Sequence, residues 1–202
     1  MLLVLNLMGA AAAPTEAGNV YSALDEQLVA AAQADPHAFA ALYERYLDRI
    51  YRFCYNRLGD RQAAEDATSE IFLKALTHLP NYRSGSFGAW LYAIAHNVVI
   101  AHYRKERHSE PLDNADAARR GLAADPLAGH AERAALLVAL AELPDDQRTA
   151  VELPAAGWSD AQIGEILGKS AAAVRMLRYR AMQRLHQLLA DDGAGEHYGE
   201  VR

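Results

Sequence analysis

The chain has 202 residues, 51% of them apolar, a single cysteine and a net charge of −6. That is enough apolar material for one domain or two small ones, while the lone Cys54 excludes an internal disulfide and reads as a small buried hydrophobe. Alanine and leucine dominate and long β-branched runs are absent, which predicts an all-α fold and gives no reason for a sheet.

The first eight residues, Met1 to Met8, are apolar apart from Asn6, and alanines follow. No lysine or arginine precedes this run, so it lacks the charged start of a secretion signal, and it is too short to span a bilayer. Residues 1–22 are expected to be a disordered extension. Asp25 to Gln33 reads as a short helix ended by Asp35-Pro36. Phe39, Leu42, Tyr43, Tyr46, Leu47, Ile50, Tyr51, Cys54 and Leu58 then recur at helical spacing. Gly59 ends that helix and Asp60 caps the next, which runs to Leu79 with Glu65, Asp66 and Glu70 in its first half, where the helix dipole tolerates acids. A turn at residues 80–85 leads to Ser86, the cap of a helix carrying Phe87, Trp90, Leu91, Ile94, Ala95 and Val98 and ending in the basic cluster Arg104-Lys105-Glu106-Arg107.

His108 to His130 has no periodicity and contains two prolines and two glycines, so it reads as a flexible linker. Domains are therefore expected at 23–107 and 131–190. The second begins with an amphipathic helix from Ala131 to Leu143. Pro144-Asp145 starts another, which reaches about Leu153. Pro154 predicts an end or kink there, because a proline removes a donor and clashes with the preceding turn. Gly157 makes a turn, and Ser159 with Gln162 forms a capping box. Gly168 closes that helix, and Ser170 caps a long one reaching Leu189. The acidic, glycine-containing tail from Asp191 to Arg202 is expected to be disordered.

The most informative stretch is Asp160 to Arg180. A helix-turn-helix needs a small residue where its helices cross, a glycine in the turn, and apolar residues locking one helix on the other. Gly164, Gly168 and the set Ile163, Leu167, Val174 and Leu177 meet those needs. The second helix presents Arg175, Arg178, Arg180 and Arg184, and residues 161–190 carry five bases against one acid. Surface charges more than about 10 Å apart are largely screened from each other at moderate salt, so this patch can hold phosphate despite the overall acidity. A second constellation joins the polar loop Asn81-Tyr82-Arg83-Ser84 to the aromatic, basic-ended helix after it. Aromatic faces stack on unpaired bases and basic groups hold the backbone, although Trp90 and Tyr92 also suit a core.

The segments AFAALYERYLDRIYRFCYNRLGDRQAAEDATSEIFLKAL, FGAWLYAIAHNVVIAHYRKER, LAELPDDQRTAVEL and GWSDAQIGEILGKSAAAVRMLRYRAMQRL, in that order, resemble a bacterial sigma factor of the extracytoplasmic-function group of the sigma-70 family. The resemblance covers about Ala23 to Leu189. It implies a first domain that binds the polymerase clamp and the minus-ten element, and a second that reads the minus-thirty-five element. Carried onto this sequence, it places Glu65, Asp66, Glu70 and Leu73 at core polymerase. It places Asn81, Tyr82, Arg83, Trp90, Asn97, Arg104 and Lys105 at the minus-ten strand. Ser170, Arg175, Met176, Arg178, Tyr179, Arg180 and Arg184 fall on the helix that enters the major groove. The implied partners are core RNA polymerase, promoter DNA and an anti-sigma protein, in the cytoplasm, with no cofactor and no membrane insertion. Two departures stand out. Pro154 falls where the family continues a helix, and Met176-Leu177 replaces a small polar residue and an arginine, so base preference does not transfer.

The competing reading is a helix-turn-helix regulator that acts without polymerase and uses its first domain for a ligand or a dimer partner. Enzymatic chemistry has little support. His96, His102 and His108 are six residues apart, about 600° of helix, so successive rings point apart. No metal-ligand spacing or phosphate-binding glycine loop occurs.

Overall fold

The computed structural model describes residues 17–109 and 130–194, and every regular element among them is a helix. In chain order these are α1 (Ala17–Ala34), α2 (Phe39–Leu58), α3 (Arg61–His78), α4 (Phe87–Ser109), α5 (His130–Ala141), α6 (Asp145–Ala155), α7 (Asp160–Leu167) and α8 (Ala171–Ala194), with 3-10 turns at Pro36–Ala38 and Leu79–Asn81.

The helix ends follow the chemistry expected of them. Gly59 takes φ 69°, which closes α2 in the left-handed region, and Asp60 then accepts a hydrogen bond from the Ala63 amide at 2.8 Å to start α3. Ser86 caps α4 through the Ala89 amide at 3.2 Å. Pro154 is the last residue but one of α6, and beyond it the Ala156 and Trp158 amides both turn back to the Leu153 carbonyl. The helix therefore runs through Pro154 and ends one residue beyond it, at Ala155, two residues past the expected Leu153.

Several helix bounds differ from expectation. α1 starts at Ala17 rather than Asp25, so residues 17–22 are helical and not part of a disordered extension. It is tied down by Asp25, whose carboxylate accepts from the Tyr46 hydroxyl at 2.5 Å and the Arg45 Nε at 2.7 Å. α4 continues to Ser109 and α5 begins at His130, so the ends of the expected linker are helical while residues 110–129 lie outside the described chain. α8 reaches Ala194, which makes the first residues of the expected disordered tail helical. Residues 1–16 and 195–202 also lie outside the described chain.

Leu42, Ile50, Ile71, Leu91, Val98 and Val99 are fully buried where α2, α3 and α4 meet. A smaller cluster joins α5 to α6 and α8 through Leu136, Leu140, Val151, Ala181 and Leu185. The larger core does not stop at the first half of the chain. Ala150, Leu153, Trp158, Ile163, Ile166 and Val174 belong to the same cluster, so α6, α7 and the start of α8 pack onto the first half.

That junction has an aromatic end and a charged end. At the aromatic end the Trp158 ring meets the Tyr92 ring edge-on at 4.9 Å, and the Arg49 guanidinium lies 5.7 Å from its centroid. Gly88 permits the approach, since a Cβ there would sit 2.8 Å from Trp158 Cη2. At the charged end Arg57 of α2 donates through Nε to Glu152 at 2.7 Å and through Nη2 to Thr149 at 2.7 Å. Arg148 donates to the other Glu152 oxygen at 2.7 Å and to the Asn56 carbonyl at 2.6 Å. The Tyr103 hydroxyl of α4 donates to the Arg57 carbonyl, and His96 Nδ1 lies 3.2 Å from the Thr149 hydroxyl. Burial alone would raise the Glu152 carboxyl, but the two guanidiniums outweigh it and hold the group below its usual range.

Candidate nucleic-acid interface

The helix-turn-helix forms as its residues dictate. The Ser159 hydroxyl accepts from the Gln162 amide at 3.3 Å, and the Gln162 side chain accepts from the Ser159 amide at 3.0 Å, a complete capping box. Gly164 is small because α8 enters against it: a Cβ would stand 2.5 Å from the Lys169 carbonyl oxygen. Gly168 takes φ 63°, and the Lys169 amide donates to the Gly164 carbonyl at 2.8 Å. Ile163 and Val174 are fully buried across the crossing, with Leu167 and Leu177 partly buried beside them.

With Val174, Ala181 and Leu185 turned inward, α8 presents Arg175, Met176, Tyr179, Arg180 and Arg184 to solvent. Met176 is 51% and Tyr179 60% exposed, so this face is apolar at its centre and basic around it. Ser170 is exposed and caps the helix through the Ala173 amide at 3.2 Å. Arg178 differs from the other arginines. It forms a two-pronged pair with Asp160 of α7, whose second contact is 3.3 Å, while Arg175 stands 3.9 Å from the same carboxylate. Asp160 thus orients one arginine and leaves the other 59% exposed. The spacing of residues 160 and 178 carries no local signal, and the sequence reading did not find this pair.

In the first half, Asn81 and Arg83 are exposed on the loop before α4. The Tyr82 hydroxyl donates to the Gly85 carbonyl at 2.6 Å, and Gln33 donates to the Leu79 and Tyr82 carbonyls, each at 2.9 Å, which fastens the loop to α1. The Tyr82 ring is 5.3 Å from Trp90, and both rings pack on the buried Phe87 while remaining half-exposed. Tyr92 is buried between Trp158 and Phe53, at 4.9 and 5.4 Å between ring centroids. Burial raises the Tyr82 phenol, reinforced by the acids Glu26, Asp25 and, from α7, Glu165. Asn97 and Arg104 are exposed on α4, and Lys105 lies on the same helix.

On α3, Asp66, Glu70 and Leu73 lie on one face, with Leu73 65% exposed. Leu76 and Tyr43 add 37% and 39% exposure beside it, giving an apolar patch bordered by acids. Glu65 pairs with Arg61 at 2.8 Å and Glu70 with Lys74 at 2.7 Å. The hydrogen bond from Lys74 holds the Glu70 carboxyl below its usual range despite some burial, with His102 adding to the effect. The buried network of Arg57, Arg148 and Glu152 and the buried position of Trp158 were not found from sequence either. Arg148 and Glu152 show the i,i+4 spacing of a helical ion pair, but nothing local points to Arg57. Among the described residues no group of histidine, cysteine, aspartate or glutamate is arranged to hold a metal, and no helix is long and apolar enough to cross a membrane.

Residues 42–109 match the family described as Sigma-70 region 2, and residues 133–185 match Sigma-70, region 4. The chain is 38% identical over 176 residues to the ECF RNA polymerase sigma factor BldN of Streptomyces coelicolor, covering 82% of this chain and 66% of that protein. It is 31% identical over 173 residues to the ECF RNA polymerase sigma factor SigW of Bacillus subtilis, covering 79% of this chain and 92% of that one. The chain thus spans about two thirds of the first relative and nearly all of the second. Among solved structures, the fold resembles the sigma factor RpoE in complex with the anti-sigma factor NepR from Bartonella quintana, with a TM-score of 0.59 at 24% identity, over 75% of this chain and 96% of that one.

Proposed function

The chain belongs to the extracytoplasmic-function group of the sigma-70 family of RNA polymerase sigma factors, and from that premise we propose that it binds core RNA polymerase and directs promoter recognition, strand opening and transcription initiation, with no catalysis of its own. The observation that carries the proposal is the pairing of two surfaces in one chain. A helix-turn-helix exposes a basic-rimmed reading face, and a separate acid-bordered apolar patch on α3 suits a protein partner. A regulator acting alone also has a use for the second surface, as a dimer contact, and membership of the sigma-70 family favours polymerase as its partner.

On this reading Glu65, Asp66, Glu70 and Leu73 contact the polymerase clamp. Asn81, Tyr82, Arg83 and Trp90 hold an unpaired minus-ten base, and Asn97, Arg104 and Lys105 follow the strand. Ser170, Arg175, Met176, Arg178, Tyr179, Arg180 and Arg184 meet the minus-thirty-five duplex, with the start of the second helix of the motif in the major groove. Arg178, held by Asp160, is set in place before DNA arrives. The protein works in the cytoplasm, where polymerase and promoter are, and an anti-sigma protein is its expected regulator. The test is transcription in vitro with purified core polymerase on genomic templates, with start sites mapped. The expected result is initiation at a small set of sites sharing minus-ten and minus-thirty-five motifs. Specific DNA binding that neither needs nor recruits polymerase would establish the regulator reading instead.

A further inference from the structure

The outward face of α8 has a composition that holding phosphate alone does not require. Val174, Ala181 and Leu185 are buried and mark the inner line of the helix. At about 100° per residue, Met176 and Tyr179 stand within about 40° of the direction opposite that line. They are the sixth and ninth residues of α8 and are 51% and 60% exposed. Arg175 flanks them on one side, and Arg180 and Arg184 flank them on the other, all three exposed. In a helix-turn-helix the first turns of the second helix meet base edges, and the flanks meet the phosphates of either strand. The positions aimed at the bases are therefore apolar, and the basic groups are at the rim.

Two of the arginines are drawn away from the centre of that face. Arg178 lies about 140° from the outward direction, beside the buried line, and both of its terminal nitrogens are on Asp160. Arg175, on the same side, stands 3.9 Å from that carboxylate. A guanine is read by a guanidinium whose two prongs are free to reach O6 and N7, and Asp160 competes for both forks. Tyr179 is oriented from the other direction: its hydroxyl accepts from the Gln183 amide at 2.8 Å. That bond leaves the phenol proton to be offered to an acceptor.

Thymine is the base that fits such a face. It alone presents a methyl group in the major groove, with the O4 acceptor next to it. A methionine side chain is flexible and polarisable enough to close around a methyl group, and covering both removes apolar surface from water. We propose that Met176 and Tyr179 select thymine. The duplex read by α8 carries a thymine whose C5-methyl group packs on Met176 beside the Tyr179 ring, while Arg175, Arg180 and Arg184 hold the flanking phosphates. This selection rests on the placement of α8 in the major groove given above, and it holds whether or not polymerase is the protein's partner.

The test begins with selection of duplexes from a random library by the full chain, with and without core polymerase. Each thymine of the recovered motif is then replaced by uracil, which removes one methyl group and nothing else. Wild-type binding should fall about threefold or more at one thymine or at two neighbours, the worth of one methyl group taken out of water. Met176→Ala should bind more weakly and no longer distinguish uracil from thymine there. Met176→Leu, which keeps an apolar side chain, should restore the distinction, and Arg184→Ala should weaken both duplexes alike. Circular dichroism melts should match wild type, since these positions are exposed. A motif in which no uracil matters, or no motif under either condition, overturns the proposal. Uracil effects that are the same in wild type, Met176→Ala and Tyr179→Ala overturn the assignment to these side chains. A motif recovered equally well without polymerase strikes the sigma-factor reading and leaves the methyl result standing.

Discussion

The most consequential single residue is Glu152. It is 4% exposed and holds two buried guanidiniums, those of Arg57 and Arg148. Removing the shared carboxylate leaves both without their counter-ion, and breaking a buried pair in this way costs about 3–5 kcal/mol. Glu152→Ala is expected to lose that much stability in urea denaturation, far more than an exposed substitution such as Glu65→Ala. A loss under about 1 kcal/mol would mean that the arginines find water or other partners, and that the network is looser than its distances suggest. His96 supplies a pH signature. Burial lowers its pKa, Arg57 adds to the effect, and the acids Asp146 and Asp145 oppose it. The Thr149 hydroxyl also faces the ring. The unfolded chain therefore binds a proton at higher pH than the folded one, near the ordinary value of about 6.5. Its contribution to stability is complete above that pH and is lost as pH falls below it. Stability measured between pH 8 and pH 5 should drop on the acid side, and His96→Gln should flatten that drop.

Among the elements, α3 separates folding from function most cleanly. Its inner face carries Ala64, Ala67, Ile71 and Ala75, all fully buried, and its outer face carries Leu73. Leu73→Glu should change stability by less than about 0.5 kcal/mol, as exposed substitutions usually do, while sharply reducing capture of core polymerase in a pull-down. Normal capture would move the polymerase surface away from this helix. How far the sequence revealed the elements depended on how local the signal was. The capping box at Ser159, the turn glycines Gly59 and Gly168, the Asp60 cap and the stop at Pro154 were all legible, because each acts on its neighbours within one turn of helix. The early start of α1 at Ala17 was not, and the hold of Asp25 on Tyr46 and Arg45 of another helix was not either, because it joins residues 20 or more apart. Within the DNA-reading unit the crossing at Gly164 was legible and the hold of Asp160 on Arg178 was not. Trp158 was missed for the same reason: nothing beside it in sequence records the glycine at position 88 that makes room for its ring.

At the scale of the whole molecule, the question is what joins the halves when the chain between them is cut. A specific protease site inserted in residues 110–129 makes this measurable. With several buried hydrogen bonds and the Trp158 contact across the junction, the cleaved halves should still co-elute on size exclusion at micromolar concentration. They should separate for Trp158→Ala. Immediate separation of the wild-type halves would show that the connecting segment, and not the junction, keeps them close, through the high local concentration that a tether provides.

The pairing of Arg57 with Glu152 also bears on exchange of parts between related proteins. Regions matching 42–109 and 133–185 correspond to two separate family models and look like interchangeable modules. In this chain they are not electrically independent. A first half grafted onto a second half with no carboxylate at position 152 carries Arg57 into a junction without its counter-ion, and a second half grafted onto a first half with no arginine at position 57 brings Glu152 without one of its two arginines. Re-targeting this protein to new promoters by swapping its reading module therefore requires positions 57, 148 and 152 to travel as a set, or the graft boundary to be drawn so that all three come from one parent.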